Sequence, residues 1–353
     1  MRLKSGIDAS WYLLPYGHPD EIWGGPFPAF ASGFDFLTRF LSHFSAPGFF
    51  FLMGLSMVLL EHSRIKAGWS RSQIVRFFCV RGFTFILLQF TLENFLWGLS
   101  SKVRIIEMFG YVGVLFGLGM SCLLAMLFLR VSRKTVFAIS VLGFLLFQIF
   151  YFPEGDFTKT FTVGERIIGI PGQTGIFWVN YPILPWLLMT LFGLGFGKLY
   201  LANPQKNEKL WTTMGLIFLG AFAVIRFATP FGNLRALPEN ANWMQYLTLV
   251  KYPPSLLFVL ATMGVNFLIL GLWQKIPMGE LRKIFVILGQ APFFFYFAHL
   301  ALYALMGFFL GSNLTLLQLY LAWGVGVVLL IPLTSAYGKF KQKTAMTSLW
   351  RLF

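Results

Sequence analysis

Cysteine is almost missing from these 353 residues, and charge is thin. Cys79 and Cys122 both sit inside apolar runs, which excludes a disulfide framework and a cysteine-based metal site. Charged residues make up 12% of the chain, where a soluble domain carries about 25%. The sequence has no soluble domain, low-complexity tail or convincing internal repeat. The four histidines are scattered, with no His-x-x-x-His pair, so no metal is expected. Acidic residues number 13 against 28 Lys and Arg, a net charge of +15. That excess would suggest nucleic acid if it clustered on a soluble face. Here the cations fall between apolar stretches, which is the pattern of membrane topology, so no nucleic-acid partner is expected.

What the chain does have is apolar. The apolar fraction is 57%, with 43 Phe and a mean hydropathy of +0.71. A soluble fold of this length could not cover so much apolar surface, so the lipid bilayer is the expected solvent for much of the chain. Runs of spanning length fall at roughly 45–61, 82–99, 110–130, 135–152, 183–201, 211–228, 255–273, 285–309 and 314–336. They are continuous rather than alternating, which predicts an all-α polytopic transmembrane helix bundle of nine spans.

Counting Lys and Arg in alternate connections gives the orientation. One set, which includes Arg64 to Arg81, Arg130 to Lys134 and the C-terminal tail, holds 18. The other set holds 9, with Arg226 left inside a span. The richer set is expected in the cytoplasm together with the C-terminus, in a cell (inner) membrane. Segments 1–44, 153–182 and 229–254 then face outward. An outward 1–44, read as an extracytoplasmic or interfacial segment of one integral-membrane domain, is odd without a delivering helix. A spanning helix upstream would bring the total to ten. The two long loops at 153–182 and 229–254 exceed ordinary connector length, which favours function.

With so few charges, each ionisable group near lipid is informative. Asp35, Arg39 and His43 stand at i, i+4 and i+8 of a helix, on one face at the outer end of the first span. An imidazole beside an Arg and a carboxylate can act as general base or carry an acyl group; a solvated interfacial salt bridge is the structural alternative. His299 lies well inside a span, either lining a cavity or hydrogen-bonding across helices. Arg226 can snorkel or hold an anion. Glu93 with Asn94 reads as structural. Asn180 lies in Trp178-Val179-Asn180-Tyr181-Pro182, and Lys251 and Tyr252 in Lys251-Tyr252-Pro253-Pro254-Ser255. Both strings open a span, where prolines fit the first helical turn and free N–H groups face a polar ligand. An aromatic belt explains them equally well.

Two motifs fail on inspection. Gly193-Leu194-Gly195-Phe196-Gly197-Lys198 has the look of a phosphate loop, but Phe192 and Leu199 occupy required Gly and Ser/Thr places. Close helix packing is the expected use of those glycines. Asn313-Leu314-Thr315 is a bare sequon in a tiny turn.

Several strings together resemble a known family. Trp23-Gly24-Gly25-Pro26-Phe27-Pro28, then Leu37-Thr38-Arg39-Phe40, then His43-Phe44-Ser45-Ala46-Pro47-Gly48-Phe49-Phe50-Phe51-Leu52-Met53-Gly54 carry the likeness. Lys251 to Ser255, and Pro292-Phe293-Phe294-Phe295-Tyr296 with His299, extend it. The chain is similar to the bacterial heparan-α-glucosaminide N-acetyltransferase catalytic-domain-like proteins. The resemblance implies a transmembrane acyltransferase with a histidine at its centre, for which His43 is the matching position; Asp35, on the same helical face by spacing, is its candidate partner. It also implies acetyl-CoA or another acyl-CoA as donor and a sugar or glycan acceptor. Candidate substrate-binding residues are Arg39, Asn180, Arg226, Lys251, Tyr252 and His299. Family members usually begin with a spanning helix ending in Asp-His, which this sequence lacks. A homodimer is compatible with this reading, and a transporter or flippase for a sugar- or lipid-linked substrate is its rival. A non-catalytic membrane subunit is a third, favoured if the upstream helix is truly absent.

Overall fold

The computed structural model describes residues 21–23, 28, 30, 32–100, 108–150, 160–202, 207–229, 231–277, 279–310, 314–345 and 348–352. Residues 1–20 and 24–27, Lys102, Arg104, Lys159 and Asn313 lie outside that set. The chain opens with α1 (Gly33–Ser42), α2 (Ser45–Lys66) and α3 (Arg71–Leu88). A π-helical turn, Gln89–Glu93, leads into α4 (Asn94–Ser100). Strand β1 (Tyr111–Val112) precedes α5 (Val114–Ala125) and α6 (Arg133–Phe150). Next come α7 (Val163–Ile168), β2 (Gly172–Thr174), β3 (Phe177–Val179), α8 (Ile183–Ala202), α9 (Asn207–Ala228) and α10 (Trp243–Leu247). The chain closes with α11 (Leu256–Lys275), α12 (Glu280–Gln290), α13 (Pro292–Leu310) and α14 (Leu316–Lys343).

Among the described residues seven helices are long and apolar enough to cross a membrane: Gly33–Lys66, Arg71–Leu99, Ile183–Ala202, Lys209–Ala228, Leu256–Lys275, Pro292–Leu310 and Leu317–Lys343. All seven coincide with predicted runs. The nine-span count is not reproduced. The run at 110–130 folds as two residues of strand, the 12-residue α5 and a 3-10 turn, Met126–Phe128, which is short for a crossing. The run at 135–152 becomes α6, an 18-residue helix that is not one of the seven.

Helix starts are written in the sequence. Ser70 with Gln73, Thr162 with Glu165, Asn242 with Gln245 and Thr315 with Gln318 form capping boxes that satisfy otherwise open N–H groups. The π turn has a tertiary cause at its first residue. Gln89 Oε1 accepts from Leu115 N at 3.0 Å and Phe116 N at 3.1 Å, capping α5, whose N-cap Gly113 has no side chain to do so.

The described residues divide into two compact units, one within 21–90 and 110–274, the other within 91–100, 108–109 and 275–352. In the first, α2 packs against α8, and α6 packs on α8 in turn. The α2–α8 contact is backbone to backbone. A Cβ on Gly193 would lie 1.9 Å from Phe51 O, and one on Gly54 would lie 1.9 Å from Thr190 O. The apparent phosphate loop is therefore a packing stripe, as expected. Phe51, Phe196, Trp211 and Phe267 fill the adjoining core, with Phe196 within 5.4–5.5 Å of the other three rings. A small sheet of order β1-β3-β2 lies in the same unit, with β1 parallel and β2 antiparallel to β3. In the second unit α4 packs against α13, and α12 and α13 against α14, which carries Pro332 in its interior.

Within the first unit the connections sort by end. Lys198 Nζ donates to Phe128 O and Val131 O, and Glu61 interacts with Lys198 and Arg71. All of these belong to, or border, the cation-rich set. Residues 21–23, 171 and 251–252, from the sparse set, meet one another instead.

Candidate functional site

His43 owes its place to a helix break. Pro47 cannot donate the N–H that would bond His43 O, and its ring crowds that carbonyl, so the span Gly33–Lys66 is interrupted between α1 and α2. His43 and Phe44 form the joint, still near helical geometry at φ −69° each. The joint is tied to α11, because Asn266 Nδ2 donates to Phe44 O at 2.9 Å. Gly48 gives that amide room: a Cβ there would lie 3.3 Å from Asn266 Nδ2.

The imidazole faces a carboxylate, and it is Glu21. His43 Nε2 lies 2.8 Å from Glu21 Oε1, an ion-pair contact without the alignment of a hydrogen bond. Arg39 grips the same carboxylate with a bidentate fork, Nε to Oε1 at 2.7 Å and Nη2 to Oε2 at 2.7 Å. Its Nη1 donates to Ser42 Oγ at 3.2 Å. On the other side of the ring, His43 Nδ1 is 3.1 Å from Phe40 O. Phe258 stands edge-on at 5.6 Å. Glu21, Arg39 and His43 are 2%, 1% and 6% exposed, so this is an interior cluster. Burial by itself would raise the Glu21 carboxyl. The charge and hydrogen bonds of Arg39, with the close contact of His43, outweigh that and hold it well below the usual carboxylate range.

Glu21 is set in place by a distant segment. Lys251 N and Tyr252 N both donate to Glu21 O, at 3.1 and 3.2 Å, and Trp23 N returns to Tyr252 O at 2.8 Å. Trp23 Nε1 reaches Pro171 O at 3.1 Å, and Arg235 Nη2 reaches Ile22 O at 2.5 Å. Both long loops, 153–182 and 229–254, thus close on residues 21–23.

The structure brings together four of the predicted residues: His43, Arg39, Lys251 and Tyr252. Lys251 Nζ lies over the Tyr252 ring at 5.2 Å, and its charge acts on His43. Asp35, predicted as the carboxylate partner of His43, stands instead in the first turn of α1, where its N–H bonds Ser32 Oγ and its charge suits the helix N-terminus. Counting by helical register points to Asp35 because Glu21 is remote in sequence. The available signal was chemical: a buried Arg and His on one face demand an anion, and acidic residues are few.

The remaining predicted residues are placed elsewhere. Asn180 is buried beside β3, accepting from Trp178 Nε1 at 2.7 Å and donating to Tyr111 Oη at 3.4 Å. Its neighbour Tyr181 reaches the cluster, Oη to Tyr252 Oη at 3.5 Å. Arg226 Nε and Nη2 donate to Tyr246 O and Gln245 O at 2.7 and 3.0 Å, so its guanidinium stabilises the carbonyl end of α10. His299 belongs to the second unit, where Nδ1 is 3.1 Å from Phe295 O and the ring stacks on Phe295 at 5.6 Å. No group of three or more metal-ligating side chains occurs among the described residues.

Residues 28–228, more than half of the chain, match the family model for the heparan-alpha-glucosaminide N-acetyltransferase catalytic domain. The chain belongs to that family. No curated protein matches it closely enough to count as a relative. The matched region contains Arg39, His43, Asn180 and Arg226. Glu21, Lys251 and Tyr252 lie beyond its ends and join the matched part only through the fold. Membership makes this a multi-pass membrane protein of an acetyltransferase family.

Proposed function

We propose that the protein transfers an acetyl or other acyl group from cytoplasmic acyl-CoA to an extracytoplasmic sugar or glycan. The observation that carries this reading is His43 held against Glu21 in a buried cluster within an acetyltransferase family fold. His43 takes the proton of the acceptor amine or hydroxyl as that group attacks the thioester carbonyl. The C–S bond then breaks, and the leaving thiolate takes the proton back from the imidazolium. An acyl-imidazole formed first on His43 is the other route, and it needs the same ring. Both ring nitrogens face oxygen acceptors, Glu21 Oε1 and Phe40 O, so a proton taken up by the ring has an acceptor on either side.

Donor and acceptor approach from opposite ends of α2. Arg64 and Arg71 stand at the end away from His43, and 22 helical residues span about 33 Å, close to the hydrocarbon thickness of about 30 Å. Cations there attract the anionic nucleotide, and the thioester is carried inward along the bundle.

Labelled acetyl-CoA supplied to proteoliposomes, with candidate amino sugars on the far side, tests the reading. Label is expected on the acceptor. His43→Ala is expected to lower turnover by about 100-fold or more while the protein stays in the membrane. Undiminished turnover by that variant removes His43 from the mechanism. Unmodified sugar crossing the bilayer without label transfer makes the protein a carrier.

A further inference from the structure

Among the described residues around His43, two buried residues are cationic and one is anionic. Arg39 and Lys251 are 1% and 2% exposed, and Glu21, at 2%, is the carboxylate that Arg39 grips. Both Glu21 oxygens are engaged, Oε1 by Arg39 Nε and His43, Oε2 by Arg39 Nη2. Lys251 has no side-chain hydrogen bond among the described residues. Its ammonium lies over the Tyr252 ring at 5.2 Å, a weaker contact than a charged hydrogen bond. Nor is its backbone free to carry the side chain away, since Lys251 N is fixed on Glu21 O and the preceding Val250 N on Asn233 Oδ1 at 3.1 Å. An ammonium with no hydrogen-bond acceptor among the described residues, placed where its charge acts on His43, is a binding element for an anion.

We infer that Lys251 receives the anionic group of an acidic acceptor, a carboxylate- or phosphate-bearing amino sugar or glycan terminus, and so selects the acceptor by charge. The inference rests on the acyltransferase reading for the site. The Lys251 ammonium, acting beside His43, matches one acidic group. The several phosphates of the donor nucleotide are better served by the cation-rich loops at the other end of α2.

The test uses the full chain in nanodiscs, with glucosamine, muramic acid and glucosamine 6-phosphate as acceptors of label from acetyl-CoA. Binding of the two acidic sugars is measured separately by calorimetry without donor. Wild type is expected to favour the acidic sugars by about 10-fold or more in kcat/KM, the size of one charged hydrogen bond. Lys251→Met should bring the acidic-to-neutral ratio near one, and Lys251→Arg should keep most of the preference. An equal ratio in wild type overturns the inference even if Lys251→Met fails to fold, and so does a preference that survives in folded Lys251→Met. Replacing acetyl-CoA with acetyl-pantetheine, which lacks the nucleotide phosphates, checks the other source of charge. If the Lys251→Met defect disappears with that donor, the anion is the donor's and the acceptor assignment falls. Lys251-dependent binding of acidic sugars with no transfer keeps this inference and removes the transferase reading. Transfer with no charge preference does the reverse.

Discussion

Arg39 is a long cation at 1% exposure, and its burial is tolerable because both Glu21 oxygens meet its guanidinium at 2.7 Å. Removing one partner leaves the other charge buried and unpaired. Glu21→Gln is therefore expected to destabilise the protein by about 3 kcal/mol or more, read as a lowered melting temperature in detergent. The same pair sets a pH dependence. Glu21 is held well below its ordinary value of 4.5, so its contribution is complete above about pH 4.5 and is lost as pH falls toward the depressed value. Melting temperature followed from pH 7 to pH 3 should decline more steeply below pH 4.5 in wild type than in Glu21→Gln. Parallel acid limbs in the two proteins would contradict the assignment. Arg39 and His43 could be paired by counting along one helix, since i and i+4 share a face. Their carboxylate could not, because its neighbourhood is made by a backbone pairing with Lys251 and Tyr252, more than two hundred residues away in the chain.

Element by element, apolar length placed seven spans where helices form, and the glycines at 193–197 were legible as packing surface. Gly193→Ala puts a methyl 1.9 Å from a backbone carbonyl oxygen that cannot move without shifting α2. It should destabilise by about 2–3 kcal/mol or more, against little change for Gly220→Ala in α9, where a Cβ meets nothing within 4 Å. Thermal unfolding of the two variants side by side checks this, and equal melting temperatures would remove the backbone contact. The runs at 110–130 and 135–152 were less readable. Hydropathy does not see that Gly113, a non-capping residue, hands its helix start to Gln89, or that Tyr111 and Val112 pair with β3. Prolines at span ends were visible, yet Pro332 lies within α14.

For the whole molecule, the charge count divides the connections into two sets, and within the first unit those sets gather at different ends of the helices. The expected orientation, cation-rich loops in the cytoplasm, can be tested by cysteine labelling in a Cys79→Ser background. Ile176→Cys, between β2 and β3 and 74% exposed in the wild-type residue, should react with an impermeant maleimide on intact cells. Ala67→Cys, exposed between α2 and α3, should react only after permeabilisation. The opposite pattern would invert the topology and the side from which the donor comes.

Composition and the spacing of apolar runs determined the solvent, the helical class and most of the spans, because backbone hydrogen bonding in lipid leaves a chain few alternatives. Local spacing also determined that Arg39 and His43 lie on one face, and strings of residues pointed to the family. Only the tertiary structure decided which carboxylate meets the imidazole, and that the Lys251 ammonium lies over the Tyr252 ring with no hydrogen-bond acceptor among the described residues. Those facts depend on two long loops closing on residues 21–23, and contacts between segments so far apart are set by packing that no local period records.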